Sequence, residues 1–111
     1  MSYTVFFIDL VEQDLQRLRR YVMEKFSEEV GNEVYVKARD AILGLEDNPN
    51  LGRLIPELET LGLNNYRYML VEKKNKVIFE IVEPAREIYI YLVCQDREDF
   101  NTVLIKRLLE I

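Results

Sequence analysis

The stretch Tyr66–Asp99, YRYMLVEKKNKVIFEIVEPAREIYIYLVCQDRED, leaves the chain few ways to fold. Tyr66, Tyr68 and Leu70 alternate with Arg67, Met69 and Val71. Val77, Phe79 and Ile81 alternate with Ile78, Glu80 and Val82, and Ile88, Ile90, Leu92 and Cys94 with Tyr89, Tyr91 and Val93. Period-two runs rich in β-branched and aromatic residues put successive side chains on opposite faces of a strand. The breaks at Lys73–Lys76 and Pro84–Arg86 are too short for a parallel crossover. Three strands in an antiparallel meander are therefore predicted, with everything upstream packed on one face.

Tyr3–Ile8 (YTVFFI) predicts a buried strand that joins the meander. Asp9 and Glu12 then read as a helix start, Asp9 as N-cap and Glu12 reaching back to it. Val11, Leu15, Leu18, Val22 and Phe26 follow at helical spacing and form one apolar stripe. Of these, Leu15, Leu18 and Val22 are expected against Ile88, Ile90 or Leu92, or else against the alternate set Tyr89, Tyr91 and Val93. Between Phe26 and Asn32, Ser27 can cap and Gly31 can bend. A second helix carries Val34, Ala38, Ala41, Ile42 and Leu45 and stops at Asn48-Pro49. So short a joint makes the two helices an antiparallel hairpin.

Asn48–Asn65 reads as a long loop, pinned on the sheet edge by Leu51, Leu54, Ile55, Leu58 and Leu61 or else functional. Glu98–Ile111 reads as a final helix with Phe100, Val103, Leu104, Leu108 and Ile111 apolar and Lys106 and Arg107 beside them. The fold class is thus α+β. An N-terminal strand and a helical hairpin pack on a small antiparallel sheet with a short C-terminal helix, all in one domain, residues 1–111.

Composition removes several functions. The chain has no histidine and one cysteine, which excludes the usual zinc sites and Ser–His or Cys–His nucleophile pairs. No metal, cofactor or catalytic residue is assigned. Cys94 reads as a small buried hydrophobe, with no base to activate it. A net charge of −5 argues against tight non-specific binding to nucleic acid. No apolar run reaches the ~20 residues of a membrane helix. The first residues lack a basic segment, so no signal peptide is expected, and the lone cysteine suits the cytoplasm.

The order strand, helix, helix, Pro/Gly loop, meander, helix resembles the RelE/ParE superfamily of type II toxin–antitoxin toxins. Its carriers are the helix Asp9–Phe26, Leu45 with Asn48-Pro49-Asn50-Leu51-Gly52, Tyr66-Arg67-Tyr68, and Glu87–Val93 followed by Arg97-Glu98-Asp99. The resemblance implies one of two toxic activities. Members like RelE cleave messenger RNA on the ribosome, and members like ParE bind DNA gyrase. A metal-free ribonuclease needs several cations around the phosphate and a proton-transfer group. Here the loop Glu46–Asn65 has one cation, Arg53, against Glu46, Asp47, Glu57 and Glu59, and Phe100 cannot move a proton. The ParE branch is favoured: an inhibitor of the gyrase A subunit, neutralised by a cognate antitoxin in a hetero-oligomer, with no direct nucleic-acid or membrane partner. A RelE-like ribonuclease and a non-toxic protein-binding relative are the alternatives.

The target-binding candidates are Arg53, Arg67, Arg97, Lys106 and Arg107. Arg67 either faces a partner or pairs with Glu80. Arg97 either faces a partner or pairs with Asp96 or Asp99. For the antitoxin, the outer face of the hairpin and the adjoining sheet edge are expected to expose Arg17, Arg20, Tyr21, Tyr35 and Lys37, since Arg and Tyr are enriched at interface hot spots. The pairs Tyr66/Tyr68 and Tyr89/Tyr91 are either packing layers or binding surface.

Overall fold

The three period-two runs pair as antiparallel strands. The computed structural model describes residues 2–72, 74–95 and 100–110. β1 (Thr4–Phe7) leads into α1 (Asp9–Lys25) and α2 (Glu28–Leu43). Two 3-10 turns follow, Gly44–Glu46 and Pro49–Leu51, then β2 (Arg53–Leu54) and the one-turn α3 (Pro56–Glu59). β3 (Tyr66–Val71), β4 (Asn75–Val82), β5 (Glu87–Gln95) and α4 (Phe100–Glu110) complete the chain. The sheet order is β1-β5-β4-β3-β2. Every pairing is antiparallel except β1 with β5, which is parallel because α1 and α2 carry the chain across before β3 begins.

α1 and α2 pack on one face of the sheet. Val11, Leu15, Ala38, Ile42 and Leu45 meet Val77, Phe79, Ile88, Ile90 and Val93 in the main core. The hairpin closes tightly because Gly31, inside α2, leaves room for α1: a Cβ there would lie 2.8 Å from the Arg19 carbonyl oxygen. Gly31 therefore permits a close helix crossing and does not bend the chain. Ser27 caps α2, its Oγ accepting from the Val30 N–H at 3.2 Å.

α1 begins differently from the capping-box reading. Asp9 is already its first residue, Ile8 stands at the N-cap, and no side chain caps it. Glu12 instead accepts the Tyr35 hydroxyl from α2 at 2.6 Å. β1 is a half-exposed edge strand, not a buried one, since β5 lies on one side of it only. The apolar stripe of α1 also runs out of partner. Leu18 and Val22 are half-buried and Phe26 is 73% exposed, because the hairpin extends past the sheet. On α2, Ala41 is exposed for a different reason, lying outside the face that Ala38 and Ile42 bury.

The Asn48–Asn65 segment holds more structure than a loop. β2 adds a short edge to β3, and Pro56 starts α3 where its missing N–H is harmless. Ile55 is buried and Leu58 packs beside it on the second face of the sheet with Ile78, Leu92, Cys94 and Leu104 of α4. Leu51 and Leu61 are exposed and pin nothing. Gly52 is needed for space: a Cβ there would stand 2.3 Å from the Phe79 ring.

Leu92 faces away from Ile88 and Ile90 because β5 carries a bulge. Ile78 pairs with Leu92 and Phe79 with Ile90, so Tyr91 is the extra residue. The strand therefore changes faces there, which strict alternation does not foresee.

Candidate partner-binding site

Where the hairpin overshoots the sheet, an open groove of about 620 Å³ remains, walled by Leu18, Tyr21, Val22, Phe26, Val30 and Val34. Its far rim comes from the β3–β4 turn and the end of β5: Glu72, Lys74, Asn75 and Gln95. An apolar floor between helices with a mixed polar rim fits the apolar side of an amphipathic segment. The groove exists because the stripe of α1 keeps its period beyond the last sheet residue able to cover it.

Of the five residues read from the sequence as an antitoxin surface, only Tyr21 lines this groove, with the Lys25 ammonium 4.9 Å from its ring centre. Tyr35 lies in the seam between the helices, donating to Glu12, and that bond and burial raise its pKa above the ordinary value. Lys37 pairs with Glu33 at 3.0 Å on the outer side of α2. Arg17 is exposed and reaches Asp14 at 3.6 Å, and Arg20 is exposed. Arg17, Arg20 and Tyr21, three and four residues apart, share one face of α1, but Tyr35 is taken into the seam and Lys37 lies on α2, so the five do not form one surface.

The target-binding candidates separate as well. Arg53 and Arg67 sit on neighbouring strands, at Arg53 opposite Tyr68 and Leu54 opposite Arg67. Arg67 lies across from Phe79, not Glu80. Its Nη1 donates to the Gly52 carbonyl at 3.4 Å, and its Nε is buried with no hydrogen-bond partner among the described residues. Lys106 is exposed on α4. Arg97 lies outside the described residues, as do Ile111 and the side chain of Phe100.

Arg107 is the clear correction. It is buried, and its guanidinium makes two 2.7 Å bonds to the Asp14 carboxylate, one from each terminal nitrogen. These bonds hold its pKa above the ordinary value. Asp14, which sequence reasoning passed over, also accepts from the Val93 N–H at 3.0 Å, and Arg107 donates to the Tyr91 carbonyl at 2.8 Å. β1 covers the rim of β5 only as far as Ile90. Past that point α1 and α4 close over the rim from opposite faces, and their ion pair satisfies the backbone groups that the bulge turns outward. A guanidinium so engaged cannot meet a target.

Glu80, read from the sequence as a possible partner of Arg67, instead forms a second centre with other residues. It accepts from the Tyr91 hydroxyl at 2.6 Å and from Asn65 Nδ2 at 2.7 Å. Burial, followed by the bond to Glu80, pushes the Tyr91 pKa far up. Among the described residues no group of His, Cys, Asp and Glu could hold a metal, and no helix is long and apolar enough to cross a membrane.

The chain matches the profile of the family described as ParE toxin of type II toxin-antitoxin system, parDE, over residues 5–105. No curated protein sequence matches it significantly. Among solved structures it is similar to the chromosomal ParDE system of P. aeruginosa, with TM-score 0.67, 14% identity, and coverage of 85% of this chain and 96% of that one. A free-state variant of the E. coli toxin RelE superposes with TM-score 0.62 and 12% identity over 100% of this chain and 99% of that one. The RelBE2 toxin–antitoxin complex of M. tuberculosis gives 0.54 and 16%, covering 86% and 99%.

Proposed function

The chain belongs to the ParE toxin family of type II toxin–antitoxin systems, and from that premise we propose that a cognate antitoxin holds it inactive and that, once released, it inhibits DNA gyrase. The buried Arg107 carries the choice of target. A ribonuclease of this fold needs free cations converging on a phosphate. Here the Arg of α4 is consumed by Asp14, and Arg53 is the one cation of the 46–65 segment, which carries four carboxylates. What remains suits an inhibitor that binds a protein surface and prevents resealing of cleaved DNA.

The groove supports the antitoxin half of this reading. Its exposed Phe26 and Val30 leave an apolar patch that an amphipathic helix would cover. Induced expression without antitoxin is the test. Filamentation with a DNA-damage response, together with cleaved DNA accumulating on purified gyrase, is expected. Codon-positioned messenger cuts in primer extension, lost in Arg67→Ala, would instead assign the chain to ribosome-dependent RNA cleavage.

A further inference from the structure

The sheet face turned away from the hairpin is only partly covered. α3 and α4 pack over Ile78, Leu92 and Cys94, Tyr66 and Tyr91 border that cluster, and the end formed by β1, the start of β5 and the end of β4 lies beyond it. There one row of side chains crosses four strands in register: Phe6 on β1 opposite Tyr89 on β5, Tyr89 opposite Glu80 on β4, and Glu80 opposite Tyr66 on β3. Phe6 and Tyr89 stack with centroids 5.2 Å apart and planes 17° from parallel, and Phe6 remains 39% exposed. The bulge adds Tyr91 to this face, 6.2 Å from Tyr66.

Carboxylates are fixed between these rings. Tyr91 and Asn65 hold the two oxygens of Glu80, and the Tyr89 hydroxyl donates to Glu87 at 3.1 Å. The phenols of Tyr89 and Tyr91 stay neutral donors, since these bonds and burial raise their pKa values. Electron-rich ring faces beside immobilised anions suit one partner chemistry, a planar cation able to stack and pair at once. The molecule already places guanidinium groups over rings of its own, Arg39 4.9 Å from the Phe7 ring centre and Arg86 5.6 Å from that of Tyr3.

We propose that the row Phe6–Tyr89–Glu80–Tyr66 is a docking surface for a polypeptide segment presenting arginine side chains. The fixed carboxylates repel phosphates, so nucleic acid does not fit. The proposal rests on the reading of the chain as a protein-directed toxin only for naming that segment as part of the toxin's target.

The full chain, isotope-labelled, is titrated with a peptide of alternating Arg and Gly, with its Lys counterpart, and with oligouridylate. Saturable shifts at Phe6, Glu80 and Tyr89 are expected with the Arg peptide, and none at the groove residues Val22 and Val30. Glu80→Gln, which preserves shape, and Tyr89→Leu should each bind about tenfold more weakly, ~1.4 kcal/mol. Silent resonances, shifts confined to the groove, unchanged binding in both folded variants, or a stronger response to oligouridylate would each overturn the proposal. Growth assays separate the two readings. Peptide binding by a chain that never arrests growth removes only the target assignment, whereas arrest without peptide binding removes the docking surface.

Discussion

Arg107 illustrates how far one residue can be read from a sequence. Its type suggested a surface cation, yet its position on α4 delivers it to a buried carboxylate 93 residues away. A signal existed at the other end. Asp14 falls between Val11 and Leu15, on the stripe that the helix buries, and a carboxylate there requires a partner. Which partner was not legible, because that depends on α4 folding back to the rim of β5. The pair predicts a specific mutational pattern. Arg107→Met leaves the buried Asp14 carboxyl without its guanidinium, and urea unfolding should show a loss of about 3–5 kcal/mol. Asp14→Leu combined with Arg107→Met removes both charges but takes their side-chain partners from the Val93 N–H and the Tyr91 carbonyl. The double variant should stay about 1–3 kcal/mol below the parent, not return to it.

At the level of elements, the meander and the two helices were legible because each carries its own period. The failures came where tertiary contact overrides local pattern. β2 is two residues long and exists only as a partner of β3, the parallel seat of β1 follows from the chain's route, and the bulge breaks alternation inside β5. The stripe of α1 shows the same limit, since its period continues while its burial does not. Truncation should reveal this gradient. Leu15→Ala, in a fully buried site, is expected to cost about 2–5 kcal/mol, and Leu18→Ala, half-buried at the groove, distinctly less, both by denaturant unfolding. Equal losses would mean that the groove is closed in solution.

Across the whole molecule, tyrosines bonded to carboxylates form a recurring device. Glu83, Glu12 and Glu87 accept from Tyr3, Tyr35 and Tyr89, while Tyr66 and Tyr91 are shifted first by burial and then by Glu80. All five phenols have pKa values raised above 10.0. Above that pH the unfolded chain releases phenolic protons that the folded chain retains, so stability is intact below 10 and falls as the pH climbs beyond it. Phenolate absorbance and helical circular dichroism should therefore change together on alkaline titration. Glu80→Gln should let Tyr91 ionise earlier and separate part of the absorbance change from unfolding.

The Asp14–Arg107 pair also decides which edges of the sheet stay open. The rim of β5 is taken by β1 as far as Ile90 and by this ion pair at Tyr91 and Val93. The sheet therefore ends in β1 on one side and, on the other, in β3, which β2 covers only at Arg67 and Tyr68. A strand supplied by another chain is thus directed to the outer side of β1 or to β3 beyond β2, and is kept off the second half of β5.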